Sequence, residues 1–257
     1  MRLAVLLITA LAITGCASSG SKPGSSSRLA FVNLMDQQAQ LYSFSDYSQQ
    51  NDAMTVDWDI PGLIQQHITD ALENEVVPYA PDNAVAVNDI MVVRKAVVSS
   101  QPSKLKTMLG NACYVTGAEA VIVLSSDKLN VQRNNTQALS GYGVFTLNAA
   151  KTREEALRSG SLSLGSEPAD TEYYSFAIPA VSLISCSPVT FLTMSTGYRS
   201  PVLLEGFRPA NGIGNLSATE LEQLHQGVLR ALDTSLDAEL PNVLDQVSGA
   251  VAEFFGQ

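Results

Sequence analysis

The chain has 257 residues, 46% of them apolar and 16% charged. That balance supports a buried core and excludes a disordered chain, and the length suits one large domain or two small ones. A net charge of −10 excludes nucleic acid as a partner, and also a polybasic contact with a membrane surface, because both need clustered Lys and Arg.

Met1 and Arg2 supply a basic start, Leu3 to Ile13 is an apolar run broken only by Thr9, and Ile13-Thr14-Gly15-Cys16 follows. A basic start, an apolar segment and small residues before a cut predict a secretory signal peptide over 1–15. The ending resembles the lipobox of bacterial lipoproteins. The resemblance implies that Cys16 is lipidated and becomes the mature N-terminus, and Ala17, where Asp would signal retention, implies the outer membrane, facing the periplasm. Residues 16–27, rich in Ser and Gly, form a tether with a reach of roughly 18 Å.

One periplasmic domain is predicted over 28–257. It opens with a strand at Leu29–Leu34, and a polar loop runs to about Asp52. A helix capped by Asp59 follows, with Trp58 closing over Leu63 as a staple. Its apolar face holds Ile60, Leu63, Ile64, Ile68, Ala71 and Leu72, with His67 on the same face, and it ends near Glu75. Val76–Tyr79 is a strand or edge. Residues 84–98 fit neither a helical nor a strand period. Ser103 to about Thr116 is a helix with Gly117 as its stop. Ala120–Leu124 is a central buried strand, and a polar loop leads to a further strand at Tyr142–Leu147.

Thr152–Thr171 mixes charge with Gly and Ser and is expected to be mobile. Tyr173–Tyr198 has no charged residue and is long enough to span a membrane. Pro179, Pro188 and many Ser and Thr favour two buried strands around a bend instead. A strand at Val202–Phe207 and a turn at Gly212-Ile213-Gly214 follow. Ser217 and Glu220 make a capping box with Leu216 and Leu221 as staple. The helix they open turns Leu221, Leu224, Val228, Leu232 and Leu236 inward until Pro241 ends or kinks it. Asn242–Phe255 is a last amphipathic helix through Val243, Leu244, Val247, Val251 and Phe254. The fold class is therefore α/β: a mixed sheet flanked by helices, with a strand-rich second half and the last helices packed on the sheet.

If Cys16 carries lipid, Cys113 and Cys186 remain. An exported compartment permits one bridge between them; the other reading is two buried free thiols. Asp57-Trp58-Asp59 is the one local cluster suited to a ligand, with Trp to stack on a sugar and carboxylates for its hydroxyls or a metal. Helix capping explains the same residues without a ligand and is preferred. His67 and His225 have no partner at a metal-binding or catalytic spacing. Gly160–Gly165 lacks the glycine two before Ser163 that a nucleophile elbow requires, and Gly212-Ile213-Gly214 lacks the third glycine of a dinucleotide loop. No catalytic residue, metal or cofactor is assigned.

The strand–helix–strand start, the central Val121–Leu124 strand after a second helix, the lipobox and the tether together resemble a loose group of envelope proteins. It contains the curli-secretion lipoprotein, the amino-terminal domain of TolB and the lipoprotein activators of peptidoglycan synthases. The resemblance implies a non-enzymatic binding or assembly module of the cell envelope, held to the membrane by its lipid and partnered by an envelope protein. A small-molecule-binding transport auxiliary and a hydrolase with a dispersed active site are the alternatives.

Overall fold

The computed structural model describes residues 28–44, 49–54, 56, 58–72, 75–82, 86–130, 138–148, 171–196, 201–210 and 215–255. The expectations for the signal peptide, Cys16, the tether, Asp57, residues 152–170 and the Gly212-Ile213-Gly214 turn lie outside them.

The fold is α/β, built on two five-stranded sheets. In the first, β1 (Arg28–Asn33) lies between β4 (Glu75–Tyr79) and β5 (Ala120–Ser126), parallel to both. β10 (Pro179–Cys186) adds to β5 antiparallel, and β11 (Val189–Thr196) adds to β10. The second sheet runs β12 (Val202–Leu203), β9 (Thr171–Ala177), β8 (Tyr142–Asn148), β2 (Ala39–Phe44), β3 (Gln49–Met54). A short ribbon pairs β6 (Lys128–Asn130) with β7 (Ala138–Ser140).

All seven residues of β5 are buried. Strands buried on both faces read as continuous apolar runs, as Ala120–Leu124 does. Leu29, Phe31, Ile122, Leu124 and Leu183 face one core, shared with Leu41 and Val144 of the second sheet. Into it pack Ile60, Ile64 and Ile68 of α1 (Ile60–Ala71) and Leu224, Val228 and Leu232 of α4 (Ala218–Phe255). Ala30, Val32, Val121 and Val123 face the other way, against Val93 and Val97 of α2 (Ile90–Val98) and Leu109 and Ala112 of α3 (Lys104–Thr116). A smaller cluster of Tyr42, Leu139, Phe145, Phe176 and Ile178 lies on the second sheet.

Ile178 alone separates β9 from β10, and so one sheet from the other. Its N–H donates to the carbonyl of Gly141, just before β8, and its carbonyl accepts from the N–H of Asp127, just after β5.

Several expectations are corrected. The polar stretch before Asp52 is not a loop but the β2–β3 hairpin. In β2 alternate residues go to opposite cores, Ala39 and Leu41 to one and Tyr42 to the other, a period hidden by the polar residues between them. Residues 84–98 resolve into α2, which starts where Asp89 accepts from the Met91 N–H. The uncharged run from Tyr173 makes three strands, not two: Pro179 opens β10, and Pro188 sits in the β10–β11 turn. The strand expected over Val202–Phe207 is two residues long.

Helix α1 stops at Ala71, because Leu72 turns extended. His67 and Leu63 are exposed rather than core-facing. The buried row of α1 is Ile60, Pro61, Ile64 and Ile68, a narrower stripe than expected. Finally, α4 runs through Pro241 as one helix. Among the described residues no helix is long and apolar enough to cross a membrane.

Candidate functional site

Strands β1, β4 and β5 run parallel, so their carboxyl ends meet at one end of the first sheet. The β1-to-β4 connection passes through α1 on one face, and the β4-to-β5 connection through α2 and α3 on the other. Where connections leave toward opposite faces, a crevice opens beyond the strand ends. Here it is a cleft of about 880 Å³, within the usual range for ligand sites. Leu34 and Tyr79 line its strand side, Val87 and Val92 its α2 side, and Leu105 and Met108 its α3 side.

The walls are set by ordinary helix chemistry. Ser103 Oγ caps α3 by accepting from the Lys106 N–H, 3.0 Å away. Lys106 Nζ donates to the carbonyls of Val97 and Ser99, each at 3.0 Å. These carbonyls belong to the last turn of α2 and its cap, so the lysine joins the end of one helix to the start of the next. Farther along α3, a disulfide joins Cys113 to Cys186 of β10, with Cα atoms 5.6 Å apart. Gly117, at φ 64°, takes the left-handed conformation that ends α3 and feeds β5.

The rim is polar. Asp89 both caps α2, accepting from the Met91 N–H at 2.9 Å, and pairs with Lys128 at 3.3 Å. Both partners are substantially exposed, so the pair adds little stability. Lys104 and Asp82 complete a rim of two cations and two anions. Val92, 48% exposed, presents an apolar surface beside this ring. Apolar walls, a few fixed polar groups and the engaged hydroxyl of Ser103 suit binding; the residues lining the cleft include no His or Cys.

Both histidines lie away from the cleft, His67 on α1 and His225 on α4. Among the described residues no three His, Cys, Asp or Glu side chains converge as a metal site would require. At the Asp57-Trp58-Asp59 cluster, Asp59 adopts φ 39° and accepts from the Gly62 N–H at 3.2 Å. A Cβ on residue 62 would meet that carboxylate, so the cap requires glycine there. Trp58 is half-buried against the main core.

Sequence reasoning missed the cleft, because no segment announces it. Its lining comes from two strand ends, two helix starts and Lys128 of the β6 ribbon, and Val87 and Val92 fall in the stretch whose period was ambiguous. The available signal was topological: two apolar strands with helices between them imply a crevice beyond their carboxyl ends.

No family model matches the chain, and no curated protein does. Among solved structures, a hypothetical protein of Chlamydia trachomatis is similar at 9% identity and a TM-score of 0.34, covering 86% of this chain and 98% of that one. A Xanthomonas campestris protein of family DUF330 is similar at 7% identity and a TM-score of 0.34, covering 88% and 86%. At these scores neither likeness carries an argument.

Proposed function

We propose that the protein is an outer-membrane lipoprotein, anchored by lipid on Cys16 and facing the periplasm, and that it acts as a non-enzymatic binding module of the cell envelope. The cleft beyond β1 and β4 holds the apolar part of its ligand or partner. The observation that carries this reading is the pairing of apolar walls with a balanced ionic rim. Such a site orients a bound group without activating it. The Ile13-Thr14-Gly15-Cys16 sequence supports the anchor. A transport auxiliary for a small apolar molecule is the second reading, favoured by the same walls.

Two measurements test the proposal. Cys16→Ser should release the protein from the outer membrane and abolish labelling by a fatty-acid analogue; persistence of both would remove the anchor. Val92→Asp should weaken binding of a fluorescent single-chain amphiphile about tenfold and leave the melting temperature nearly unchanged. Equal binding by the two proteins would move the ligand site elsewhere.

A further inference from the structure

Tyr114 and Val115, on the last turn of α3, are 89% and 67% exposed. Among the described residues Tyr114 is the most exposed large apolar side chain, and these two are the only adjacent pair of such side chains. Thr116, the next residue, is buried, and its carbonyl accepts from the Arg28 guanidinium at 3.4 Å. The Glu119 N–H donates to the Arg28 carbonyl at 2.9 Å. The residue where the tether meets β1 therefore lies against the residues that end α3. The Cys113–Cys186 disulfide draws the β10–β11 turn to the same end of the domain, and Ser187 and Pro188 in that turn are exposed.

Size and position select what covers this patch. Tyr114, Val115 and Pro188 together offer on the order of 400 Å², about half of what each partner of a stable protein complex buries. Cys16 stands 12 residues before Arg28, and a Ser- and Gly-rich chain of that length keeps its ends roughly 18 Å apart. A lipid on Cys16 would thus hold the bilayer at an effective concentration in about the millimolar range, where a contact too weak to form in free solution is populated. A tyrosine beside small apolar groups settles at the headgroup layer of a membrane, and such a contact needs no cluster of Lys or Arg. Arg28 itself is taken by Glu75, 3.0 Å away.

We propose that the end of the domain carrying Tyr114, Val115 and Pro188 rests on the bilayer that holds Cys16, with these three side chains in its headgroup layer. The inference rests on the lipid anchor proposed above. It gives the domain an orientation. The patch lies where β5 begins and the cleft where β5 ends, and the seven residues of that strand span about 23 Å. The cleft therefore opens away from the membrane, where a ligand or partner in the periplasm meets it first.

The test replaces Tyr114 by a hydroxycoumarin amino acid, which keeps a hydroxyl-bearing ring, in the full lipidated protein. The protein is reconstituted in vesicles of phosphatidylethanolamine and phosphatidylglycerol, with or without a doxyl-labelled phosphatidylcholine that quenches the dye on contact. Emission from position 114 should fall roughly twofold or more with the doxyl lipid. The same dye at Lys104, exposed at the cleft end of α3, should be unaffected. Val115→Asp should restore most of the emission at 114 and, because the side chain is exposed, leave the melting temperature nearly unchanged. Protein that does not float with the vesicles would remove the anchor and this proposal together. Protein that floats but shows no quenching at 114, equal quenching at 114 and 104, quenching that survives Val115→Asp, or unfolding on that substitution would overturn this proposal alone. So would emission at 114 that follows the density of protein in vesicles free of doxyl lipid, the mark of a second copy.

Discussion

Trp58 lies flat on the imidazole of His225, with ring centroids 5.1 Å apart and planes 7° from parallel. The stack ties the residue before the α1 cap to the second turn of α4. His225 Nδ1 is 3.9 Å from the Glu222 carboxylate, and Nε2 is buried without a partner among the described residues. His225→Ala should therefore cost about 1 kcal/mol, the scale of an aromatic stack. Trp58 is the sole tryptophan, so its emission reports the loss directly and should shift to the red. An unshifted spectrum would mean that the stack does not form in solution.

Val228 is fully buried where α4 crosses the sheets. A Val228→Asp protein should fail to fold or melt far below wild type, because the charge has no partner there. The adjacent Gly227 is a subtler probe. A Cβ at that position would meet the Leu204 side chain and come within 3.0 Å of Ser175 Oγ. Gly227→Ala gains helix propensity worth about 1 kcal/mol but overpacks a buried contact at a cost of about 1–3 kcal/mol. The net expectation is a modest fall in stability, read by urea unfolding.

The Cys113–Cys186 disulfide closes a loop of 73 residues. Chain entropy assigns such a crosslink about 4 kcal/mol. Cys113→Ser with Cys186→Ser should lower the denaturant midpoint accordingly, and dithiothreitol should do the same to wild type. Should the two fail to agree, the serine hydroxyls, rather than the missing crosslink, would account for the difference.

Ser125, Ser126, Ser182 and Ser185 are fully buried on β5 and β10, and their hydroxyls have no hydrogen-bond partner among the described residues. An unpaired buried hydroxyl costs about 1–3 kcal/mol. Ser182→Ala should accordingly leave the melting temperature equal or higher. A clear fall would reveal a partner for that oxygen.

Glu220 closes the capping box at the start of α4. Its carboxylate accepts from the Ser217 hydroxyl at 2.6 Å, the Ser217 N–H at 2.7 Å and the Ala210 N–H at 2.8 Å. These bonds, the Ser217 hydroxyl first, hold its pKa below the ordinary value of 4.5. A depressed folded pKa means the ionised carboxylate stabilises the fold above the ordinary carboxylate range. That contribution is lost as pH falls through the folded value. Wild type should melt higher than Glu220→Gln at neutral pH, and the gap should close below about pH 4. A constant gap down to pH 3 would contradict this.

The elements legible in the sequence were those that agree with themselves locally. Ala120–Leu124 is apolar at every position because both faces of β5 are covered. Ser103 and Gly117 bracket α3, and Ser217 with Glu220 opens α4, because caps are local chemistry. The β2–β3 hairpin was illegible because its partner, β8, lies about a hundred residues away in the chain. Pro241 does not end the helix, because a helix can absorb one missing N–H when the turns on either side are sound. The cleft was invisible for the reason the hairpin was: Tyr79, Val92 and Met108 belong together only once the sheet has formed.

The single residue between β9 and β10 has a consequence for how the molecule comes apart. Ile178 donates to the end that starts β8 and accepts from the end that follows β5, so both sheets hold the same residue. Opening either sheet releases one of the two bonds that fix this residue and loosens the anchor of the other. Amides of β5 and β8 should then exchange with solvent at one common rate near the global limit, rather than as two separate units. The two-sheet architecture would behave as one cooperative body.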